Sequence, residues 1–251
     1  MKTKKSFFWI LIFVLSVLLN GVKLRAEEPE GQSEKSYSSS TSFSLLITSG
    51  NTRELTLGFD TEQSLVAKKN QLLLKGSVIY GRSEKIKNAE FYYGHLKYKR
   101  ELTSQVFLLG LGRFERNILA GYNHRFSFSA GAGYIWVKKE DIEAISEVSL
   151  GWGHENNVSQ DSRILSYMSL LVASSVKVAL SPTSHISCQE LYALNLNDPK
   201  DFRVTSFISV AADISKALAL KFSYQLFYSH KPISGFQKMD HYFMSSVVLN
   251  L

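Results

Sequence analysis

An alternation of apolar and polar side chains, sustained from Tyr37 to the last residues, constrains the fold of this chain more than any other feature. In the segment 218–229 every even position carries Leu, Phe or Tyr, whereas five of the six odd positions carry Ala, Lys, Ser or Gln. Successive side chains of a β-strand point to opposite faces, so a period of two predicts strands with one apolar face. Twelve such runs can be counted, at residues 37–48, 55–66, 71–81, 90–100, 105–115, 124–137, 142–153, 163–180, 185–196, 203–214, 218–229 and 241–251.

The lengths of these runs indicate the environment of the strands. Eleven of the twelve contain 11–14 residues, whereas strands of soluble sheets have a typical length of ~5–6 residues. A tilted strand needs about 9–11 residues to cross a bilayer. The lengths therefore favour strands that span a membrane.

The connections between the runs alternate in length. The short ones are residues 67–70, 101–104, 138–141, 181–184 and 215–217, and the longer ones are 49–54, 82–89, 116–123, 154–162, 197–202 and 230–240. Short turns at one end, longer loops at the other and an even strand number are typical of outer-membrane barrels. An open edge would leave backbone groups unpaired in lipid, so the sheet must close. We predict that residues 37–251 form an all-β, transmembrane, antiparallel up-and-down β-barrel of about twelve strands, with both termini in the periplasm.

A soluble lipocalin-like barrel or β-sandwich is the alternative, because its strands also alternate but turn the apolar face inward. Aromatic residues near the ends of the runs favour the membrane barrel, since aromatic girdles mark the two membrane interfaces. These residues are Tyr80, Tyr98, Tyr134, Trp136, Trp152, Tyr228, Tyr242 and Phe243.

The N-terminal residues have the composition of a secretory signal. Three lysines precede an apolar stretch at residues 6–22, and Ala26 precedes an acidic segment. This order predicts a cleaved signal peptide at residues 1–26, followed by a flexible polar periplasmic leader at residues 27–36. A retained membrane anchor is the alternative, because about 17 apolar residues can just span a bilayer.

Charge and cysteine content narrow the functional classes. Of the 29 Lys+Arg and 22 Asp+Glu residues, five basic and no acidic residues lie in the predicted signal peptide, which leaves 24 against 22 in the exported part. A nearly neutral exported chain gives no indication of nucleic-acid binding. The one cysteine, Cys188, allows neither an internal disulfide nor a multi-cysteine metal site. No cofactor or metal is expected.

Three stretches of the sequence resemble a known bacterial family. They are FSLLITSGNTRELTL (43–57), VFLLGLGRFERNILAGYNHRFSFSAGAGY (106–134) and HKPISGFQKMDHYFMSSVVLNL (230–251), and the most specific part is Ser-Gly-Asn-Thr at 49–52. The family is an outer-membrane domain of unknown function that includes YdiY and proteins labelled salt-induced outer membrane proteins. The resemblance implies an outer-membrane barrel with membrane lipid and the barrel-assembly machinery as partners, and it supplies no reaction or ligand. Such barrels usually end on an aromatic residue, whereas this chain ends on Leu251.

Charged residues on the polar faces are the candidate functional site. A charge that faces lipid costs about 2–4 kcal/mol near the bilayer midplane, so these side chains are expected to line the lumen. The separation of a basic cluster from acidic residues on either side of it would create a transverse field suited to filtering charged solutes. The basic cluster is Lys75, Lys97, Lys99, Arg113 and Arg125, and the acidic residues are Glu54, Asp60, Glu62, Glu143 and Glu147.

These charges predict a narrow channel or binding barrel for small charged solutes. The alternative is a non-conducting barrel, in which the charges pair and fill the interior, with a structural or stress-response role in the envelope. Apolar residues occupy both faces of the strands near 105–115 and 185–196, so the pattern does not decide which of their faces points inward.

Catalytic motifs such as G-x-S-x-G and H-E-x-x-H are absent from the sequence, and an enzyme is not expected. A barrel lipase or protease is a lesser alternative, because His185 and Ser187 have the spacing of a base and a nucleophile on one strand face, with Asn197 as an orienting residue. His154 and Glu155, expected on an outer loop, could bind a metal or a sugar.

Overall fold

The computed structural model describes residues 35–48, 54–83, 86–118, 121–158 and 164–250. The predicted signal peptide and leader lie outside these residues, except for Lys35 and Ser36, which belong to the first strand. Leu251 also lies outside them. In this part of the chain no helix is long and apolar enough to cross a membrane.

The described residues form one closed antiparallel barrel of twelve strands, which confirms the predicted architecture. Each strand is hydrogen-bonded to its neighbours in the sequence, and β1 closes the barrel against β12 with Ser40 opposite Asn250. The strands are β1 (Lys35–Thr48), β2 (Glu54–Ala67), β3 (Asn70–Ser83), β4 (Ile86–Glu101), β5 (Val106–Asn117), β6 (Tyr122–Lys138), β7 (Ile142–Asn157), β8 (Ile164–Ser181), β9 (Ser184–Asn195), β10 (Phe202–Asp213), β11 (Leu218–Ser229) and β12 (Met239–Asn250).

The two ends of the barrel differ in their connections. β1 starts and β12 ends at one end, the terminal end; the opposite one is the loop end. Several loop-end connections are shorter than predicted: the loop expected at 82–89 is reduced to residues 84–85, and the one expected at 116–123 to residues 118–121. Register shifts after Gly81 and after Glu115 keep the neighbouring strands paired into these segments. The connection at 230–238 remains long.

The outer face of the barrel exposes large apolar side chains. Phe128 on β6 and Phe222 on β11 are each 61% exposed, and Phe243 on β12 is 77% exposed. A soluble barrel of the lipocalin type would turn such residues inward. The observed orientation instead leaves a broad apolar surface around the barrel, with polar and charged side chains inside.

The predicted aromatic residues lie on this outer face, except for Tyr242. Tyr98, Trp136 and Trp152 are exposed there. Tyr242 points inward and packs against Phe227 and the buried pair Ile79 and Phe91, so its assignment to an outer aromatic girdle was wrong. Its cross-strand partner Gln225 belongs to the inward-facing positions of β11.

The barrel also resolves the two strands whose faces the sequence left open. On β5, Phe107 and Leu109 are buried inside with Ile135, whereas Leu108 is exposed outside. On β9, Leu191 lines a cavity in the lumen and Tyr192 is exposed outside. The inward-facing apolar residues of β5 therefore fill part of the lumen. Alternation alone does not reveal this role.

Candidate functional site

The predicted basic cluster lies in the lumen on four consecutive strands. Lys75 is on β3, Lys97 and Lys99 are on β4, Arg113 is on β5 and Arg125 is on β6. Arg113 and Arg125 line the same interior cavity. The three lysines form ion pairs with acidic residues of the predicted set. The structure thus brings these residues together inside the barrel.

The predicted acidic residues are distributed along the lumen. Glu62 and Glu147 pair with the lysines, and the Ser42 hydroxyl donates to the Asp60 carboxylate across 3.4 Å. Glu143 lies near the terminal end, opposite Lys177 of β8. The side chain of Glu54, at the start of β2, lies outside the described part of the molecule.

Ion pairs in the half of the lumen nearer the terminal end, here called the lower lumen, connect the basic cluster directly to these acids. Lys75 Nζ lies 2.9 Å from Glu62 Oε2, Lys97 Nζ lies 2.5 Å from Glu147 Oε2, and Lys99 Nζ lies 3.7 Å from Glu147 Oε1. The predicted separation of basic and acidic walls is therefore wrong for these residues. Flexible lysine side chains reach the carboxylates, because leaving charges unpaired in a confined interior costs free energy.

A glycine makes room for the contact with Glu147, although β5 and β6 separate β4 from β7 in the wall. The ring of Phe107 on β5 lies against Gly133 on β6, where an added Cβ would come within 2.1 Å of the Phe107 Cζ atom. Lys99 Nζ lies 4.6 Å from the centre of that ring, a favourable cation–π distance. Because the ring packs against the wall, Lys99 passes over it towards Glu147.

A second group of charges, the loop-end network, consists of Glu115, Arg125, Glu155 and Arg203. Arg125 Nη2 lies 2.7 Å from Glu115 Oε2, and Arg125 Nη1 lies 3.9 Å from Glu155 Oε2. Arg203 Nη1 lies 3.1 Å from Glu155 Oε2. The four residues come from β5, β6, β7 and β10, so the network crosses the lumen.

Tyrosines hold the two arginines of this network. The Tyr122 ring centre lies 4.3 Å from the Arg125 guanidinium carbon and 5.3 Å from that of Arg203. The Tyr167 hydroxyl accepts from Arg203 at 2.9 Å and donates to Glu155 at 3.2 Å. Asp201 adds a contact of 3.4 Å to Arg203. Both guanidinium groups are thus held by carboxylates and by aromatic rings.

Sequence reasoning missed most of the loop-end network. The sequence predicts Glu155 on an outer loop as a metal or sugar ligand, but β7 continues through it, and the residue is 1% exposed inside the barrel. His154, the other residue of that pair, points outward, hydrogen-bonds the Ser166 hydroxyl at 2.9 Å and stacks on Trp152. The period-two pattern of the segment 142–157 was the signal that β7 extends this far.

Arg113 lies between the two groups of ion pairs. Among the described residues it has no carboxylate within 4.0 Å, and its guanidinium carbon lies 5.7 Å from the Tyr93 ring centre. It lines a cavity with about 70 Å³ of space open to water-sized molecules, together with Arg125, Ser169, Arg203 and Thr205. A smaller cavity of about 50 Å³ lies towards the loop end.

The wall formed by β9 to β12 carries small hydroxyl and methyl side chains. Ser187 and Ser209 share a hydrogen bond of 2.8 Å, and Lys221 donates to the Ser42 hydroxyl at 3.3 Å. Ala211 is buried on the same face. These small residues lie towards the terminal end, whereas Arg203 of β10 and Phe227 of β11 extend into the lumen nearer the loop end.

The enzymatic alternative has little support in the geometry. His185 and Ser187 share the inward face of β9, but the Ser187 hydroxyl pairs with Ser209. The Asn197 side-chain oxygen accepts the backbone N–H of Met168 in the loop region. Within the described residues no group of three or more His, Cys, Asp or Glu side chains is arranged to hold a metal ion.

Comparison with known proteins defines the family and the fold. A family model described as "Protein of unknown function, DUF481" matches residues 41–250. No curated protein sequence matches the chain.

Among solved structures, the chain is similar to the COG4313 outer membrane channel from Pseudomonas putida F1, with 8% identity and a TM-score of 0.52 over 89% of this chain and 98% of that one. It is also similar to the NanC porin, with 8% identity and a TM-score of 0.48 over 86% of this chain and 98% of that one. At this identity the first similarity shows the fold alone.

Proposed function

We propose that this chain, which belongs to the DUF481 family of proteins of unknown function, is an outer-membrane β-barrel whose lumen admits small charged solutes. The observation that carries the proposal is the arrangement of a closed barrel with an apolar outer face around a charged interior that contains space for water. Each part of this arrangement supports a separate part of the function.

The outer face supports the membrane location. Soluble monomers rarely expose contiguous apolar patches larger than a few hundred Å². Here Phe128, Phe222 and Phe243 are exposed on three different strands, and a closed sheet leaves no unpaired strand edge towards lipid. Hydrocarbon is the environment in which such a surface is stable. With the membrane as its surroundings, the terminal end faces the periplasm and the loop end faces outward.

The interior supports a path for charged solutes. Transfer of an ion into an apolar interior is unfavourable unless other charges and hydrogen bonds replace its water. The lumen offers such groups along its length, from the Lys75–Glu62 pair to the loop-end network. The two cavities lie beside the charges of the loop-end network, since Arg125 and Arg203 line both of them.

Two measurements test this function. Fractionation of the membranes of a producing strain is expected to recover the folded protein with the outer membrane. Vesicles that contain the purified barrel are expected to release labelled sulfate faster than they release a labelled dextran, whereas vesicles prepared with unfolded protein release neither. Recovery in the soluble fraction, or equal retention of both solutes by vesicles with folded protein, would contradict the proposal.

A non-conducting structural barrel is the second candidate, and the loop-end network favours it. Arg203 and Glu155 meet inside the lumen and narrow it, and Glu155 is almost completely buried. In that case a folded barrel releases no sulfate. Replacement of Arg203 by alanine would then open the lumen, and the onset of release in that variant alone would identify the wild-type barrel as closed.

A further inference from the structure

We propose that Arg113 and His95 form a binding subsite for a small oxyanion, a carboxylate or phosphate group, midway along the lumen. The inference rests on the proposed function, because the anion reaches these residues only through the barrel. It adds to that function a defined position at which the solute is held.

The two side chains face each other across neighbouring strands. His95 on β4 lies directly opposite Arg113 on β5, and residues in such positions have their Cβ atoms about 4.5–5.5 Å apart. Tyr93 contacts both residues: its hydroxyl shares a hydrogen bond of 2.8 Å with His95 Nδ1, and its ring lies beneath the Arg113 guanidinium. Tyr93 thus fixes both side chains.

Each of the two side chains also has a buried nitrogen without a partner. Arg113 Nε and His95 Nε2 are buried and make no hydrogen bond within the described part of the chain. Such groups are uncommon in folded proteins because each costs free energy. An oxyanion that entered between the two side chains from the cavity that Arg113 lines would accept hydrogen bonds from both. The planar guanidinium is also the side-chain group best matched to carboxylate and phosphate.

Nearby acids do not compete for this position. Glu115, two residues further along β5, is engaged by Arg125 at 2.7 Å, and Glu147 is engaged by Lys97 and Lys99. Arg113 is therefore the member of the basic cluster that is not paired with a carboxylate among the described side chains. A diffusing anion would supply the missing charge.

Space and further donors are present beside Arg113. The adjoining cavity of about 70 Å³ exceeds the ~10–15 Å³ that one water needs on this measure. Ser127 lies opposite Arg113 on β6, and Ser169 and Thr205 line the same cavity. Their hydroxyl groups can donate to the remaining oxygens of a small anion.

Inorganic phosphate serves as the probe. The concentration of phosphate that halves the chloride conductance of the full-length barrel is measured in a planar bilayer at constant ionic strength. Arg113→Gln is compared with Lys221→Gln, which removes one positive charge from the opposite wall without touching the cavity. Arg113→Lys retains the charge but loses the paired donors. We expect Arg113→Gln to raise the half-blocking concentration by about tenfold or more, Arg113→Lys by less, and Lys221→Gln by less than about twofold.

The possible outcomes separate the subsite from the channel. Equal shifts of the half-blocking concentration in Arg113→Gln and Lys221→Gln would overturn the subsite, and so would the absence of a saturable block of the wild-type protein. In both cases a chloride conductance would still uphold the proposed function. A folded barrel without conductance would overturn the proposed function. Calorimetric titration of the detergent-solubilised proteins with phosphate then decides the subsite. Binding that is lost in Arg113→Gln and kept in Lys221→Gln supports it, and absence of binding to the wild type refutes it.

Discussion

Arg203 on β10 and Glu155 on β7 form an ion pair of 3.1 Å, although β8 and β9 separate their strands in the barrel wall. The two side chains therefore meet inside the lumen. Their contact ties distant parts of the barrel together, and it also narrows the passage between them. Stability and permeation thus depend on the same pair of residues.

Replacement of Glu155 by glutamine is expected to destabilise the barrel by about 3–5 kcal/mol, because it leaves two buried guanidinium groups without their shared carboxylate. Tryptophan fluorescence during urea unfolding in lipid vesicles measures the change. Lys138→Gln is the control, because Lys138 and Glu101 form an exposed ion pair of 4.0 Å, and such pairs contribute about 0–1 kcal/mol. Similar losses in both variants would contradict a stabilising role for the loop-end network.

The lower lumen predicts a change in ion preference. Glu147→Gln frees Lys97 and Lys99 from their shared partner, and the lumen gains positive charge. The zero-current potential in a salt gradient should therefore move further towards the anion equilibrium potential. Glu190→Gln changes the net charge equally on the outer face, where Glu190 accepts from Ser206, and should leave that potential unchanged. Equal effects of both variants would show that the lumen charges do not select ions.

Glu190 also predicts a gain in stability. This residue points outward among exposed apolar side chains, near Tyr192 and Ile208, and a carboxylate on a lipid-facing surface is unfavourable. Glu190→Leu should stabilise the barrel in vesicles by about 1–2 kcal/mol. Gln189→Leu, on the inward face of the same strand, should give no gain. A loss of stability in Glu190→Leu would mean that this face contacts something other than lipid.

Two glycines provide a matched test of packing. Gly133→Ala forces Phe107 away from the wall, since the new Cβ would lie 2.1 Å from its ring, and such overpacking costs about 1–3 kcal/mol. Gly110 has no neighbouring atom within 4 Å of an added Cβ, so Gly110→Ala should have little effect on unfolding. Equal stability of the two variants would refute the proposed packing of Phe107 on Gly133.

A hydrogen bond that tethers two loops predicts a contribution to the stability of the barrel that depends on pH. Lys231 Nζ donates to Asp198 Oδ2 at 2.5 Å, and this hydrogen bond lowers the pKa of the Asp198 carboxyl from its ordinary value of 3.8. Since the pKa is lowered in the folded barrel, the contribution of the tether is complete above that ordinary value and is lost as the pH falls through the lowered one.

Carbon-13 NMR of the labelled Asp198 carboxyl measures this titration. The midpoint is expected below 3.8 in the wild type and higher than in the wild type in Lys231→Gln. Lys200→Gln, which removes a weaker favourable contribution to the same carboxylate, should change the midpoint less. A midpoint that Lys231→Gln leaves in place would show that the two loops are not tethered in solution.

Period two, the length of the runs and the alternating length of the connections together predicted the closed twelve-stranded barrel, because all three are local properties of the chain. The pattern placed Lys97 and Lys99 on inward positions, and the cost of a charge that faces lipid placed Arg113 there. It did not predict which charges meet, because Lys97 and Glu147 are brought together by barrel closure and by the space above Gly133. Arg203 was missed since its partner Glu155 lies three strands away in the wall.

Single-channel recording of the full-length barrel in a planar bilayer with a potassium chloride gradient tests the central claim most directly. We predict discrete conductance steps with a zero-current potential displaced towards anions, because Arg113 leaves the middle of the lumen with uncompensated positive charge. The absence of conductance steps from protein shown to be folded and inserted would contradict the account.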